Sequence, residues 1–242
     1  PWIDMIYRHV YNSLHSYNTW FTLLICDNIH EVFNNMSDNN LVYILDGKIY
    51  INLTNMCTND CIFCLRRDKD DVCGQDMWLK SEKITSEDVI EQLNKYEDKI
   101  AKGITFCGYG EPTMKFEVLK QVAEYIKQNY PDTFIKVNTN GHGNVINKKD
   151  ILPELKGLVD EFSISLNAQN SDLYKELSQP KIDNAYEAMK EFAKSAYDNG
   201  FKTTLSVVSG YKDYDVDLAL CEKIAKDLHA SFRNREWIEN GY

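Results

Sequence analysis

The sequence predicts an α/β fold, a partial six-stranded (β/α)6 barrel with an N-terminal helical extension. Three observations carry this. From Leu41 onward, strand-like runs alternate with helix-period runs. The six strand runs lie between residues 48 and 235, roughly one βα unit per 31 residues, a spacing that right-handed parallel crossovers require. Eight such units need more chain than remains after the first 40 of the 242 residues, so a closed eight-stranded barrel is excluded.

Residues 1–40 read as an extension with no assigned role. Ile3, Ile6, Val10 and Leu14 recur at helical spacing, and the polar run from Asn34 to Asn40 reads as a linker. Residues 41–242 read as the core domain. Residues 41–45 and 48–54 flank Asp46-Gly47, the dipeptide of a two-residue hairpin. Strands are expected at 48–54, 103–107, 133–138, 161–166, 202–208 and 231–235. Helices are expected at 86–97, 116–129, 148–155, 171–199 with a break near Pro180, and 216–228. Ser86, followed by Glu87-Asp88, reads as a helix start and Gly200 as a helix stop.

Composition narrows the class. Apolar residues make up 43% and charged residues 26%, ordinary globular values that exclude disordered and fibrous chains. Seven cysteines, an odd number, are too sparse for a disulfide-stapled scaffold. With 27 basic and 37 acidic residues the net charge is −10, which disfavours broad nucleic-acid binding. The longest apolar run near the start, residues 20–26, falls far short of the roughly 20 residues a membrane span needs. Asp4, Arg8 and His9 spoil a secretory signal. The expectation is a soluble cytoplasmic protein with free or metal-bound thiols.

Cys57, Cys61 and Cys64 follow the first predicted strand with the spacing C-x3-C-x2-C. Three thiolates within eight residues converge only if the backbone curls, and the intervening Thr, Asn and Asp allow that. Such a set binds an iron–sulfur cluster or zinc. A structural zinc site wants four ligands, with Cys73 as the remaining candidate. Three cysteines on a [4Fe–4S] cube leave one iron open to a substrate or cofactor. Every other predicted strand end is also polar or glycine-rich, which describes a polar mouth. Gly108-Tyr109-Gly110-Glu111-Pro112-Thr113 lacks the third glycine of a dinucleotide fingerprint, and Glu111 would repel a pyrophosphate. Cys26, Cys107 and Cys221 read as core residues, His142 as an exposed loop residue, and Arg66 with Arg67 as a pair that screens the cluster loop's negative charge, reaches a substrate or is solvated.

The cysteine spacing, with Phe63 before the third cysteine, resembles the signature of the radical S-adenosylmethionine superfamily. Residues 108–112 resemble that family's G-G-E-P element, with Tyr109 in place of a glycine. The resemblance implies a [4Fe–4S] cluster on Cys57, Cys61 and Cys64. It implies S-adenosyl-L-methionine chelated to the fourth iron and cleaved reductively to a 5′-deoxyadenosyl radical for hydrogen abstraction from an unidentified substrate. It places Phe63 near the adenine, Gly110 and Glu111 at the methionine ammonium, and Asn138, Ser165 and Asn167 near the ribose and carboxylate. On that assignment Glu111→Gln weakens cofactor binding and leaves the cluster intact. An electron donor such as flavodoxin or ferredoxin is implied as a partner. Residues 42–242 further resemble the small members associated with TatD-family nucleases, a possible partner association that supplies no reaction. Competing readings are a glycyl-radical-enzyme activase, a rearrangement enzyme such as a deazapurine synthase, and a zinc- or cluster-stabilised binding module.

Overall fold

The computed structural model describes residues 39–238. The chain divides into two units, Pro1–Asp38 and Asn39–Tyr242. The expected N-terminal helix and Cys26 lie outside the described residues. The second unit opens on Asn39, whose side-chain oxygen accepts from the Lys80 and Ser81 amides at 2.7 and 3.1 Å.

Strands β1 (Val42–Leu45) and β2 (Lys48–Ile51) form the expected hairpin, with Leu45 opposite Lys48. Asp46 and Gly47 both take positive φ, +50° and +71°, as the two-residue turn demands. A small ribbon, β3 (Asp71–Val72) and β4 (Gln75–Asp76), follows the cysteine segment. Helix α1 (Ser86–Leu93) begins where the sequence signal places it and ends four residues earlier, in a 3-10 turn at Asn94–Tyr96. Its cap is Thr85, which forms a capping box with Asp88. The short α2 (Glu97–Ile100) leads to β5 (Ile104–Phe106), and α3 (Phe116–Asn129) leads to β6 (Ile135–Thr139).

The helix expected at 148–155 is displaced. Helix α4 (Gly143–Asn147) stops where Lys148 turns left-handed at φ +54°, and only a 3-10 turn (Leu152–Leu155) follows. After β7 (Glu161–Ser165), the predicted long helix is two helices, α5 (Ser171–Ser178) and α6 (Ala185–Asp198). Pro180 bars its predecessor from the right-handed helical region, and Gln179 sits at φ +43°. Strand β8 (Lys202–Ser209), helix α7 (Leu218–Asp227) and strand β9 (Ser231–Glu236) complete the unit.

The seven strands order as β1-β2-β5-β6-β7-β8-β9, and every pair from β2 onward is parallel. Among the described residues no ladder joins β9 back to β1. One face of the sheet is apolar: Ile49, Ile51, Phe106, Val137, Phe162, Ile164, Leu205 and Val207 are buried in one cluster with Leu119, Val122, Met189 and Phe192 from the helices. Each such side chain contributes about 1.5–3 kcal/mol on burial. The other face is polar. Its rungs read Tyr50–Thr105–Lys136–Glu161–Lys202, then Asn138–Ser163–Thr204–Ser231, then Ser165–Ser206–Arg233. No helix among the described residues is long and apolar enough to cross a membrane.

Candidate functional site

The cysteine segment leaves β2 and is held from three sides. The Asp60 and Ile62 amides donate to the Ser178 and Leu177 carbonyls at 3.0 and 2.9 Å, so orphan carbonyls at the end of α5 find partners in the loop. The Lys181 amide donates to the Thr58 carbonyl at 2.7 Å, and the Tyr211 hydroxyl to that of Ile62 at 2.9 Å. Arg66 runs beneath the loop. It donates to the Asn55 and Asn59 carbonyls at 3.4 and 3.2 Å and to the Asp60 carboxylate at 2.9 Å. Arg67 donates to the Asp60 and Cys61 carbonyls at 2.8 and 2.9 Å. Both arginines therefore clasp the loop. The hydrogen bond from Arg66 holds the Asp60 carboxyl below its ordinary range. Burial pushes the Cys57 thiol up to about 11 and Cys61 to about 12, with Cys64 and Cys57 adding to the latter. Burial raises Cys64 as well.

Residues 108–111 pack directly on this loop. A Cβ on Gly110 would lie 2.2 Å from the Thr54 carbonyl oxygen, and one on Gly108 2.0 Å from Asn52 Oδ1. The Glu111 amide donates to the Met56 carbonyl at 2.8 Å. Its carboxylate is 2% exposed and accepts four bonds. Thr113 supplies its amide (3.1 Å) and hydroxyl (2.7 Å), Thr139 its hydroxyl (2.7 Å) and Asn140 its amide (2.7 Å). Burial pushes the carboxyl up, and those donors oppose it. Gly110 and Glu111 thus join the end of β5 to the cysteine loop and the end of β6.

His142 corrects the sequence reading: it is fully buried. Its Nε2 faces the Ala185 carbonyl at 3.1 Å, an acceptor only, which assigns the proton to Nε2. Nδ1 then accepts from the Thr58 hydroxyl at 2.9 Å. Thr58 in turn accepts from Asn140 Nδ2 at 2.8 Å, and that nitrogen lies 3.7 Å from Cys57 Sγ. Tyr174 adds its hydroxyl, 3.3 Å from His142 Nε2 and 3.1 Å from Asn59 Nδ2. Burial pulls the imidazole down to about 4, so it is neutral at pH 7. Sequence reasoning missed Thr58, Asn59 and Tyr174 in this network. Only the polar character of the residues between the cysteines pointed to them.

Cys107 is a second correction. It follows Phe106, which faces the apolar core, and so lies on the polar face. Burial raises its thiol, and a hydrogen bond from Asn138 opposes the rise. Asn138 Oδ1 and Asn167 Oδ1 are buried without a hydrogen-bond partner. Asn167 is left-handed at φ +59° and donates to Ser178 Oγ at 3.0 Å. Ser165 stands beside Ser206 on the same face. Phe63 packs edge-to-face on Tyr211 at 6.0 Å, and Tyr211 on Trp237 at 4.9 Å. Cys73 is exposed in the turn between β3 and β4.

These residues fit an iron–sulfur cluster. The donors are thiols alone, on one loop at the C-terminal end of a parallel strand. Unpaired Oδ1 atoms and a glycine-built loop beside the thiols suit a polar cofactor. The family model described as the Radical SAM superfamily matches residues 51–220. The chain belongs to that superfamily. Among curated relatives of this radical SAM chain, an uncharacterised protein of Methanocaldococcus jannaschii is 28% identical over 126 residues, 51% of this chain and 40% of that one. A 5-amino-6-(D-ribitylamino)uracil–L-tyrosine 4-hydroxyphenyl transferase of Methanopyrus kandleri is 27% identical over 176 residues, 67% of this chain and 44% of that one. The chain spans less than half the length of both. Among solved structures, Streptococcus suis SuiB bound to S-adenosylmethionine superposes with a TM-score of 0.59 at 19% identity, over 79% of this chain and 39% of that one. TYW1 with a lysine-pyruvate adduct bound gives 0.56 at 14% identity, over 80% and 66%. Those two likenesses speak to fold.

Proposed function

We propose that this chain is a radical SAM catalytic core that binds one [4Fe–4S] cluster and S-adenosylmethionine and starts hydrogen abstraction from a substrate. The single observation that carries this is the placement of Cys57, Cys61 and Cys64 on one clasped loop at the end of β2, beside the polar face of the sheet. Bound there, the cluster and cofactor supply one-electron cleavage of a sulfonium to a carbon radical.

The chain's own residues do the rest. Cys57, Cys61 and Cys64 hold the metal, while Arg66 and Arg67 fix the loop that carries them. Gly110 and Glu111 bring the end of β5 against that loop, where backbone groups face the cofactor's ammonium. Asn138 and Asn167, each with an unpaired oxygen, and Ser165 line the polar face as hydrogen-bonding contacts. Phe63 offers an aromatic surface for the adenine, backed by Tyr211. The electron comes from a donor of flavodoxin or ferredoxin type, and a TatD-family nuclease is a candidate associate.

Anoxic reconstitution tests the reading. The protein should take up about four irons and four sulfides. Alanine at Cys57, Cys61 or Cys64 should abolish that uptake, and Cys73→Ala should leave it. The reduced protein should release 5′-deoxyadenosine from S-adenosylmethionine. Stoichiometric zinc without acid-labile sulfide, or a loaded protein that does not bind S-adenosylmethionine, would sink it.

A further inference from the structure

Asn140, just past β6, reaches the cysteine loop across 83 residues of chain. Its side chain is buried, so each of its polar atoms needs a partner inside the protein. The backbone amide of His142 settles which way the carboxamide points. It lies 3.0 Å from Oδ1 and can only donate, which turns Nδ2 toward the loop. Nδ2 carries two hydrogens and has two acceptors, Thr58 Oγ1 at 2.8 Å and Cys57 Sγ at 3.7 Å.

The same direction runs through the rest of the network. The Ala185 carbonyl, at the start of α6, faces His142 Nε2 at 3.1 Å, so Nδ1 is an acceptor and takes the Thr58 hydroxyl proton at 2.9 Å. The Thr58 hydroxyl has then committed its one hydrogen, and toward Asn140 it can only accept. Were the carboxamide turned over, Oδ1 would face the lone pairs of Thr58 and of the sulfur, and Nδ2 would face the His142 N–H. The path from Ala185 therefore ends with an N–H aimed at one sulfur. The Asn59 amide, 3.4 Å from the same Sγ, adds a second donor. That donor comes with the fold of the loop itself, whereas the Asn140 bond needs a side chain held in place from β6 and α6.

A donor to a thiolate sulfur favours the state that places more negative charge on it. For an iron–sulfur cluster that state is the reduced one, and hydrogen bonds to its sulfurs raise the reduction potential. Burial strengthens the effect, because the local dielectric is low.

We propose that Asn140 raises the reduction potential of the cluster by donating to Cys57 Sγ, with Thr58 as the positioning residue that fixes its carboxamide. The proposal rests on the functional reading above for the presence of the cluster, and on hydrogen-bond geometry for the donor.

The test is a redox titration of the anoxic, cluster-loaded protein, read by electron paramagnetic resonance of the reduced cluster, with iron content measured on the same samples. Asn140→Leu keeps the size of the side chain and removes the donor. At a fixed poise near the midpoint of the unaltered protein, its reduced-to-oxidised ratio should fall threefold or more, about 30 mV for one electron. Thr58→Val should lower the ratio less, and Thr58→Ser, which restores the hydroxyl, should leave it unchanged. The resonance arises from loaded protein alone, so a partly loaded variant still reports its potential; if Asn140→Leu takes up no iron, the Thr58 pair decides. Equal or higher potentials in Asn140→Leu overturn the proposal. So does a loss of iron without a shift in the clusters that remain, which would make Asn140 a support for the loop alone. An unaltered protein that takes up no cluster overturns the functional reading and this proposal with it. Shifted potentials in a protein that does not bind S-adenosylmethionine would support the Asn140 bond while overturning that reading.

Discussion

The Thr58 hydroxyl donates to Nδ1 of His142 across 2.9 Å, tying the cysteine loop to the segment that follows β6. The imidazole that receives it is sealed from water and held neutral, with Tyr174 and the Ala185 carbonyl on its other nitrogen.

A pH dependence follows. The folded pKa, about 4, lies below the ordinary 6.5, so between those values the unfolded chain binds the extra proton. The contribution is fully present above pH 6.5 and is lost as pH falls toward 4. At 1.36 kcal/mol per unit it amounts to about 3 kcal/mol across that window. His142→Gln removes the titrating group. Urea unfolding at pH 7 and pH 4.5 should show a smaller loss in the variant, by about 2–3 kcal/mol. Equal losses would place the pH sensitivity elsewhere.

Glu111→Gln should damage the loop as well as the cofactor site. One carboxylate oxygen becomes an amide facing a donor, so the Asn140 amide or a threonine hydroxyl is left unpaired. The expected cost is about 2–3 kcal/mol of stability. Iron uptake should fall with it. The sequence reading expected an intact cluster because it could not see four donors converging on this carboxylate. Iron content and Tm measured together decide the matter; a variant with normal values of both would restore the simpler assignment.

Gly110→Ala is a purely steric test. The glycine's φ is not left-handed, and what stands in the way is the backbone of the cysteine loop, with Thr54 O at 2.2 Å and Met56 O at 2.6 Å. Relief requires moving the chain just before Cys57. A cost of about 2–4 kcal/mol and poor iron incorporation are expected. Unchanged iron uptake would show that the two loops can part freely.

Arg66 and Arg67 should differ. The Arg66 side chain is 12% exposed and serves two carbonyls besides Asp60, whereas that of Arg67 is 36% exposed. Arg66→Met should cost about 1–3 kcal/mol, discounted for the solvent around Asp60, and should slow cluster reconstitution. Arg67→Met should cost no more than about 1 kcal/mol. The reverse order would refute the clasp described for Arg66.

Periodicity and turn chemistry made most of the architecture legible. The Asp46-Gly47 hairpin, the parallel strands and the stop at Gly200 follow from local patterns that the packing reinforces. The cysteine spacing led to the expectation of a metal centre because the three thiols are close in sequence. Two things were hidden. Local signals misplaced the helix around Lys148, whose left-handed turn no glycine marks. Burial misled for His142 and Cys107: flanking glycines suggested an exposed loop for one, and an apolar neighbourhood a core position for the other. Both assignments depend on partners more than 30 residues distant, such as Tyr174 and Asn138.

The clasp on the cysteine loop also sets an order of assembly. Asn59 meets Tyr174 across 115 residues of chain, and the loop's amides close on carbonyls that exist only once α5 has formed. A nascent chain that has emerged only through β6 holds all three cysteines but none of the α5 carbonyls that shape them. Until α5 has been made, the loop lacks the carbonyl partners that shape it, and metal delivered before that point meets thiols without those contacts. If these thiols hold the cofactor proposed above, its loading is expected to follow this long-range contact rather than the appearance of the cysteines.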